Sequence, residues 1–199
     1  YRYRQMKLLK EYIRELLLEA ANGVEDLPEN TYVKIWKTGP EININFSDAN
    51  GNIYKTPIKG VVTIQPVESN KWGNCSGAMN VKWASAESGY GPLLYDVAIE
   101  YATLNGNGLM ADRMAVSPDA VSVWQYYLDL RSDVTAYQLD NLEGELTPDN
   151  KDDDCSQGIV GVKIKHGDDW TEHPLSKRYT KPPRTIGLLR KAGKLIEEA

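Results

Sequence analysis

The sequence of 199 residues is poor in cysteine and has no long apolar run. Its two cysteines, Cys75 and Cys155, are too few for a disulfide framework and form no Cys-x-x-Cys metal motif. Disulfides are rare inside cells, so we expect two reduced thiols in an intracellular protein. A single disulfide between the two cysteines is the alternative. No segment approaches the roughly 20 apolar residues that cross a bilayer. Charge interrupts the apolar residues near the first residue, so we expect neither a membrane span nor a secretory signal.

Phenylalanine is also scarce, and the 28 acidic residues outnumber the 23 lysines and arginines. One phenylalanine stands beside 12 tyrosines and 5 tryptophans, and the formal net charge is -5. Tyrosine and tryptophan join an apolar ring to a polar tip, so we expect many of these rings at half-buried edges or in a cleft. The negative charge disfavours a strongly basic nucleic-acid-binding protein. Because 41% of the residues are hydrophobic and 26% are charged, the chain is neither disordered nor fibrous.

The first half of the chain changes from a helical to a strand period. Apolar residues of 6–21 share one helical stripe, which predicts an amphipathic helix packed on the domain or on a partner copy. From residue 31 the period is two, and Ile42, Ile44 and Phe46 give a strand with one apolar face. Strand residues recur up to about residue 64, which predicts an antiparallel meander.

The middle of the chain alternates between the two element types. The pattern predicts a strand over 78–84, a helix over 91–104, a short strand over 108–111 and a helix over 117–131. Ser117 suits the N-cap of the last helix and Pro118 its first position. Asp119 lies near the positive end of the helix dipole.

The last third of the chain divides by charge. Residues 140–157 are acidic and predict a solvated loop, since the run at 152–154 lacks the spacing of an EF-hand cation site. Residues 159–165 predict a strand, and 185–198 a helix that two glycines weaken. The basic residues between them favour a charged, solvated face over a phosphate contact; the best patch lies beside Tyr179 and comprises Lys177, Arg178, Lys181 and Arg184.

A glycine turn joins the strand at 78–84 to the following helix. Gly89 and Gly91 let the backbone bend tightly, and the free amides of the helix's first turn would suit a pyrophosphate. A single Gly-x-Gly also occurs in ordinary strand-to-helix turns. No Gly-Lys-Ser/Thr sequence and no third glycine follow, so the turn is neither a P-loop nor a full Rossmann fingerprint.

The segment 78–127 resembles the GNAT superfamily of N-acyltransferases, and the order of elements over about 31–131 is similar. In that family a Q/R-x-x-G-x-G/A turn holds the pyrophosphate of coenzyme A, and the next strand splays to admit the pantetheine arm. The following helix often begins N-x-x-A-x-x-x-Y, where the asparagine touches pantetheine and the tyrosine protonates the leaving thiolate. The resemblance therefore implies acetyl-CoA as cofactor and an amine as acceptor.

Carried over by position, the resemblance implies six cofactor-binding residues: Ser88, Gly89, Tyr90, Gly91, Ser117 and Trp124. Ala86 stands where the family has glutamine or arginine, and Trp124 stands at the position of the acid tyrosine. Because tryptophan cannot protonate a thiolate, Tyr127 on the same helix face is the nearest substitute. Glu87 and Asp112 are candidates for the base that deprotonates the amine, although either also fits a solvated surface carboxylate.

These patterns predict an α+β fold with a mostly antiparallel mixed sheet, GNAT-like in order, with helices packed on it and amphipathic helices at both termini. Three segments are expected: a terminal helix and linker over 1–30, the core over 31–139, and an acidic loop, strand and basic helix over 140–199. No metal site is expected. The leading function is transfer of an acetyl group from acetyl-CoA to an amine.

Two other functions stay open. One is a non-catalytic structural or virion-associated protein on the same scaffold, whose terminal helices dock to partner subunits or to each other. The second is a modulator that binds a host protein or nucleic acid through the basic C-terminal segment. The N-terminal helix and residues 89–96 also resemble uncharacterised proteins of tailed bacteriophages. That resemblance implies a location in the host cytoplasm or in the virion.

Overall fold

The computed structural model describes residues 21–140, 147–158 and 170–198. Its eight strands form one mixed sheet with the order β6-β7-β5-β4-β3-β2-β1-β8. This architecture confirms the predicted α+β class. The helix expected over 6–21, apart from its last residue, and the strand expected over 159–165 lie outside the described residues. The strands are β1 (Tyr32–Thr38), β2 (Glu41–Ser47), β3 (Gly60–Pro66), β4 (Met79–Ala86), β5 (Leu109–Met110), β6 (Thr135–Gln138), β7 (Lys177–Thr180) and β8 (Leu195–Glu197).

The predicted meander is the centre of this sheet. Strands β1 to β4 pair antiparallel in chain order. A two-residue turn joins β1 to β2, and Gly39 there has a φ of 59°, a left-handed value that glycine adopts without strain. The apolar face predicted for β2 is confirmed, because Ile42, Ile44 and Phe46 are all buried.

The described residues include four α-helices beside the sheet: α1 (Ser69–Trp72), α2 (Gly91–Asn105), α3 (Pro118–Leu130) and α4 (Arg184–Lys191). The long helix α2 is the central one, since it contacts β2, β3, β4, β5 and β7 as well as α4. The predictions for α2 and α3 are confirmed to within a residue or two. Ser117 caps α3 as expected, and its Oγ accepts a hydrogen bond of 3.2 Å from the amide of Ala120. No helix of the described ranges is both long and apolar enough to span a bilayer.

The C-terminal segment completes the same sheet. Strand β7 lies between β5 and β6, while β8 pairs parallel with β1 at the opposite edge. The helix predicted over 185–198 is therefore wrong in its second half. Helix α4 ends at Lys191, and Gly193, with a φ of 65°, turns the chain into β8. A left-handed residue is a common way to end a helix.

The solvated face predicted for the basic C-terminal patch is present in part: Arg184 is exposed, whereas other residues of the patch are not. Lys181 is only 2% exposed and forms an ion pair with the fully buried Glu100. The ring of Tyr179 is also buried. Arg178 lies over the ring of Tyr137 at 4.2 Å and donates to the carbonyl of Asn107. These cations tie elements together, because each finds an internal partner as the segment joins the sheet.

Cys75 and Cys155 form a disulfide bond. The expectation of two reduced thiols is therefore wrong, and the bridge that the sequence left open is present. The two residues are 80 positions apart, so their pairing becomes visible only once the fold brings them together. The bond fastens the acidic segment to the connection between β3 and β4.

The acidic segment is an exposed loop over residues 147–152, as predicted, and becomes partly buried beyond them. Asp153 and Asp154 are half-buried, and Asp153 accepts a hydrogen bond of 2.6 Å from the Thr147 hydroxyl. Carboxylate oxygens of Asp140, Asp153 and Asp154 lie within 4.8 Å of one another. Hard divalent cations bind such oxygens, and acidic groups also cluster without an ion.

Candidate functional site

The candidate site is an opening between two parallel strands of the sheet. Strands β4 and β5 pair only at Met79 with Leu109 and at Asn80 with Met110. Strand β4 continues to Ala86, whereas the chain leaves the sheet after Met110. Among the described residues, the last six of β4 therefore have a paired neighbour only on the β3 side. Backbone groups on its other side are available to a ligand, because a strand without a neighbour presents unpaired N–H and C=O groups.

Two adjoining clefts occupy this opening. The first, of about 820 Å³, is the glycine-turn cleft, bounded by the end of β4, the turn at 86–91 and the first turns of α2 and α3. The second, of about 670 Å³, is the Trp83 cleft, bounded by 81–84 of β4, the chain at 112–118 and α3. Such volumes are typical of small-molecule sites. The clefts share four lining residues: Ala84, Tyr95, Ser117 and Ala120.

The glycine turn presents backbone amides to the first cleft. Gly89 has a φ of 85°, which a side chain would strain. No described side chain caps the N-terminus of α2, and within the described residues the amides of its first turn remain available for an anion. A Cβ atom built on Gly91 would meet only the Cβ of Ala86, at 3.9 Å. Gly91 therefore leaves space for a ligand close to the helix N-terminus.

Four of the six residues expected to bind the cofactor line the glycine-turn cleft: Ser88, Gly89, Gly91 and Ser117. Tyr90 instead packs edge-on against Phe46, at 5.8 Å between ring centres, and its hydroxyl donates to the carbonyl of Asp26. Trp124 is buried and lines the Trp83 cleft.

The two candidate bases lie on different sides of the opening. Glu87 lines the glycine-turn cleft, and its Oε1 accepts a 2.9 Å hydrogen bond from the amide of Lys59. Asp112 lines the Trp83 cleft, and its Oδ1 accepts from the amides of Met114 and Ala115. Each carboxylate is thus held by backbone amides through one of its oxygens.

Tyr127, the candidate acid, lies beneath the clefts and lines neither of them. Its hydroxyl donates to Asp96 at 2.8 Å, and Asp96 also forms a two-pronged ion pair with Arg131. Burial, together with the nearby Asp96 carboxylate, raises the pKa of Tyr127 well above its usual value. The structure thus places this phenol in a buried charge network.

Tyr95 is the residue that the sequence analysis missed. It lies on the first turns of α2, is 6% exposed and lines both clefts. No described residue forms a hydrogen bond with its hydroxyl, and burial raises its pKa to about 12. Tyr95 therefore keeps its proton at neutral pH, at the junction of the two clefts. The sequence feature that could have identified Tyr95 is its position four residues after Gly91, on the helix that follows the glycine turn.

A β-bulge alters β4 beside the Trp83 cleft. Thr63 pairs with Trp83 and Ile64 with Val81, which leaves Lys82 as an extra residue on β4. A bulge disrupts the ladder locally and redirects the neighbouring backbone groups. Lys82 itself forms an ion pair with Glu41.

The glycine-turn cleft has an acidic rim. Glu87 and Asp119 line it, and no described lysine or arginine does. An anion bound there would depend on backbone amides for attraction and would meet repulsion from Asp119.

Comparison of the chain with protein-family models, with curated proteins and with solved structures found no match in any of the three.

Proposed function

We propose that the chain is a GNAT-like N-acyltransferase that moves an acetyl group from acetyl-CoA to an amine. The observation that supports this most is the splayed pair β4 and β5, with a glycine turn and an uncapped helix N-terminus at the mouth of the opening. A thioester could enter from one cleft and an amine from the other. The two substrates would then meet beside Tyr95, where the clefts join.

The cofactor would occupy the glycine-turn cleft. Amides of the turn and of α2 would hold the pyrophosphate, since a helix N-terminus attracts anions. The pantetheine amides would pair with the free edge of β4, in the way that an added strand pairs with a sheet. Ser117, at the junction with α3, has a hydroxyl proton still to donate, because its Oγ acts as acceptor toward Ala120.

The reaction would be a direct transfer between two positioned substrates. The amine nitrogen forms a bond to the thioester carbonyl carbon, and the carbon–sulfur bond then breaks. Asp112, the candidate base that lines the cleft opposite the cofactor, takes the proton of the amine, and the thiolate receives one from Tyr95. Amides near the bulge of β4 would polarise the carbonyl oxygen. Positioning supplies much of the acceleration in such a reaction.

The test is the amine-dependent release of free thiol from acetyl-CoA, with two variants of Gly91. A panel of primary amines should give release with the natural chain. Gly91→Glu should abolish it, because the new side chain and its charge would occupy the anion site. Gly91→Ala should retain it, since the Cβ meets only an ordinary contact.

Normal release by a folded Gly91→Glu variant would overturn the assignment of the site. The second candidate is the non-catalytic scaffold, which the acidic rim and the alanine at position 86 favour. That alternative predicts no thiol release with any amine and no binding of coenzyme A.

A further inference from the structure

We propose that the Trp83 cleft accepts a primary monoamine carried on an aromatic or branched apolar group. This inference rests on the proposed acyltransferase function, because that function places the acceptor in this cleft. It goes further by naming the chemical class of the acceptor. The evidence is the combination of apolar walls, an exposed tryptophan at the rim and one carboxylate with an oxygen that accepts no hydrogen bond from a described residue.

The walls of the cleft are apolar. Val81, Val116 and Trp124 are buried side chains that line it, and Ala84 and Ala120 leave room between them. The free energy of binding becomes more favourable when an apolar ligand covers such a wall and removes it from water. An acceptor with a polar tail would not provide this favourable burial, so the walls favour an acceptor with an apolar substituent.

The rim carries two large apolar side chains that remain exposed. Trp83 is 63% exposed and Met114 is 53% exposed, and both line this cleft. They are two of six exposed large hydrophobic residues found in the described ranges, and the other four do not line this cleft. An aromatic ring and a thioether at the mouth of a cleft form good contacts with another ring.

The charges of the lining fit one ammonium group. Among the described residues, Asp112 and Lys82 are the charged ones that line the cleft, and Lys82 is paired with Glu41. The Oδ1 of Asp112 is held by two loop amides, while its Oδ2 accepts no hydrogen bond from a described residue. One fixed carboxylate suits one ammonium. A polyamine would need further carboxylates along its length.

The test compares three acceptors: phenethylamine, ethanolamine and spermidine. Phenethylamine should have the highest kcat/KM of the three. Trp83→Ala should raise the KM for phenethylamine about tenfold with little change in kcat, because it removes an aromatic contact made before and during the reaction. The same variant should change the values for ethanolamine less than about twofold. Leu188→Ala, which removes a similarly exposed side chain from α4, is the matched control and should change none of them.

Calorimetric titration of each variant with acetyl-CoA separates the two levels of the proposal. Binding of acetyl-CoA with a preference for spermidine or ethanolamine would overturn the acceptor class and leave the acyltransferase assignment standing. Binding without turnover of any of the three amines would also overturn the acceptor class. Failure of acetyl-CoA to bind would overturn both.

Discussion

At the scale of single residues, Tyr127 has a structural role and Tyr95 a proposed chemical one. Tyr127 donates its hydroxyl proton to Asp96, so its phenol belongs to the network that also holds Arg131. The Tyr95 hydroxyl has no such partner in the described ranges, and Tyr95 lines both clefts. A phenol that delivers a proton to a thiolate has to reach the thiolate, and in the proposed reaction Tyr95 would do so from its position in the lining of both clefts.

Replacement of each tyrosine by phenylalanine should therefore have different effects. Tyr95→Phe should lower kcat for acetyl transfer by about 10²-fold, the usual contribution of a general acid, with acetyl-CoA affinity nearly unchanged. Tyr127→Phe should leave kcat within a few fold and lower stability by about 1–3 kcal/mol, because Asp96 loses a buried hydrogen bond. Steady-state kinetics and urea denaturation of both variants measure these effects.

Tyr101→Phe makes the same chemical change on the same helix, outside both clefts, and serves as the control. A large loss of kcat in Tyr127→Phe and none in Tyr95→Phe would return the acid role to Tyr127, as the sequence resemblance implies.

Asp119 provides a second test at this scale. Its exposed carboxylate lines the glycine-turn cleft without a neighbouring cation in the lining. If the pyrophosphate lies there, Asp119→Asn should strengthen coenzyme A binding about two- to fivefold, since it removes a repulsion between like charges that solvent partly screens. Calorimetry at low ionic strength measures the change. A weaker or unchanged affinity would mean that the pyrophosphate lies elsewhere.

The sequence was informative for residues whose role follows from local geometry. Gly89 and Ser117 were predicted because a left-handed turn favours glycine and an N-cap position favours serine. Tyr95 was missed, since a tyrosine among apolar helix residues also suits a core position. Only the divergence of β4 from β5 gives it access to two clefts.

At the scale of elements, α4 is held by a carboxylate from another helix. Glu100 on α2 is fully buried, and its two oxygens accept 2.8 Å hydrogen bonds from the amides of Thr185 and Ile186. It also pairs with Lys181. A negative charge at the N-terminus of a helix is favourable. Glu100, a residue of α2, therefore caps the N-terminus of α4.

Glu100→Gln should weaken this attachment strongly. The change removes the closest carboxylate of the buried Lys181, which keeps Asp96 and Asp133 at 3.7 and 3.6 Å. The loss of a buried, charged hydrogen bond of this kind costs about 1.5–3 kcal/mol. Hydrogen exchange should show α4 and the adjoining β8 opening more readily than the rest of the sheet. Glu197→Gln breaks the exposed pair with Arg190 and should cost less than about 1 kcal/mol. Equal effects of the two variants would contradict the capping role.

Elements with a strong local signal were predicted, and elements defined by their partners were not. The meander, α2 and α3 have clear periods and start signals. Strands β6 and β7 have four residues each and gain their hydrogen bonds from each other and from β5. Strand β8 is formed on β1 after a glycine turn. Their formation depends on contacts that are distant in sequence.

At the scale of the whole molecule, the disulfide closes a large loop. Cys75 and Cys155 enclose the end of the meander, α2, α3 and β6, over a separation of 80 residues. In the chain-entropy account, such a bridge stabilises the fold by restricting the unfolded chain. Neither cysteine lines the two clefts.

Removal of the bridge should therefore lower stability and spare the site. The double variant Cys75→Ala, Cys155→Ala should lose about 2–5 kcal/mol of unfolding free energy and keep its affinity for coenzyme A. Urea denaturation and calorimetry measure the two quantities. Titration of thiols in the denatured protein without reductant should find none in the natural chain, and two free thiols would show that the bridge is absent.

The central claim is that the splayed strands and the glycine turn form a site for coenzyme A. Its most direct test is a calorimetric titration of the natural, folded protein with coenzyme A and with acetyl-CoA. We expect both to bind with dissociation constants in the micromolar range, roughly -8 kcal/mol in free energy. No binding of either at millimolar concentration, with circular dichroism of a folded protein, would contradict the claim.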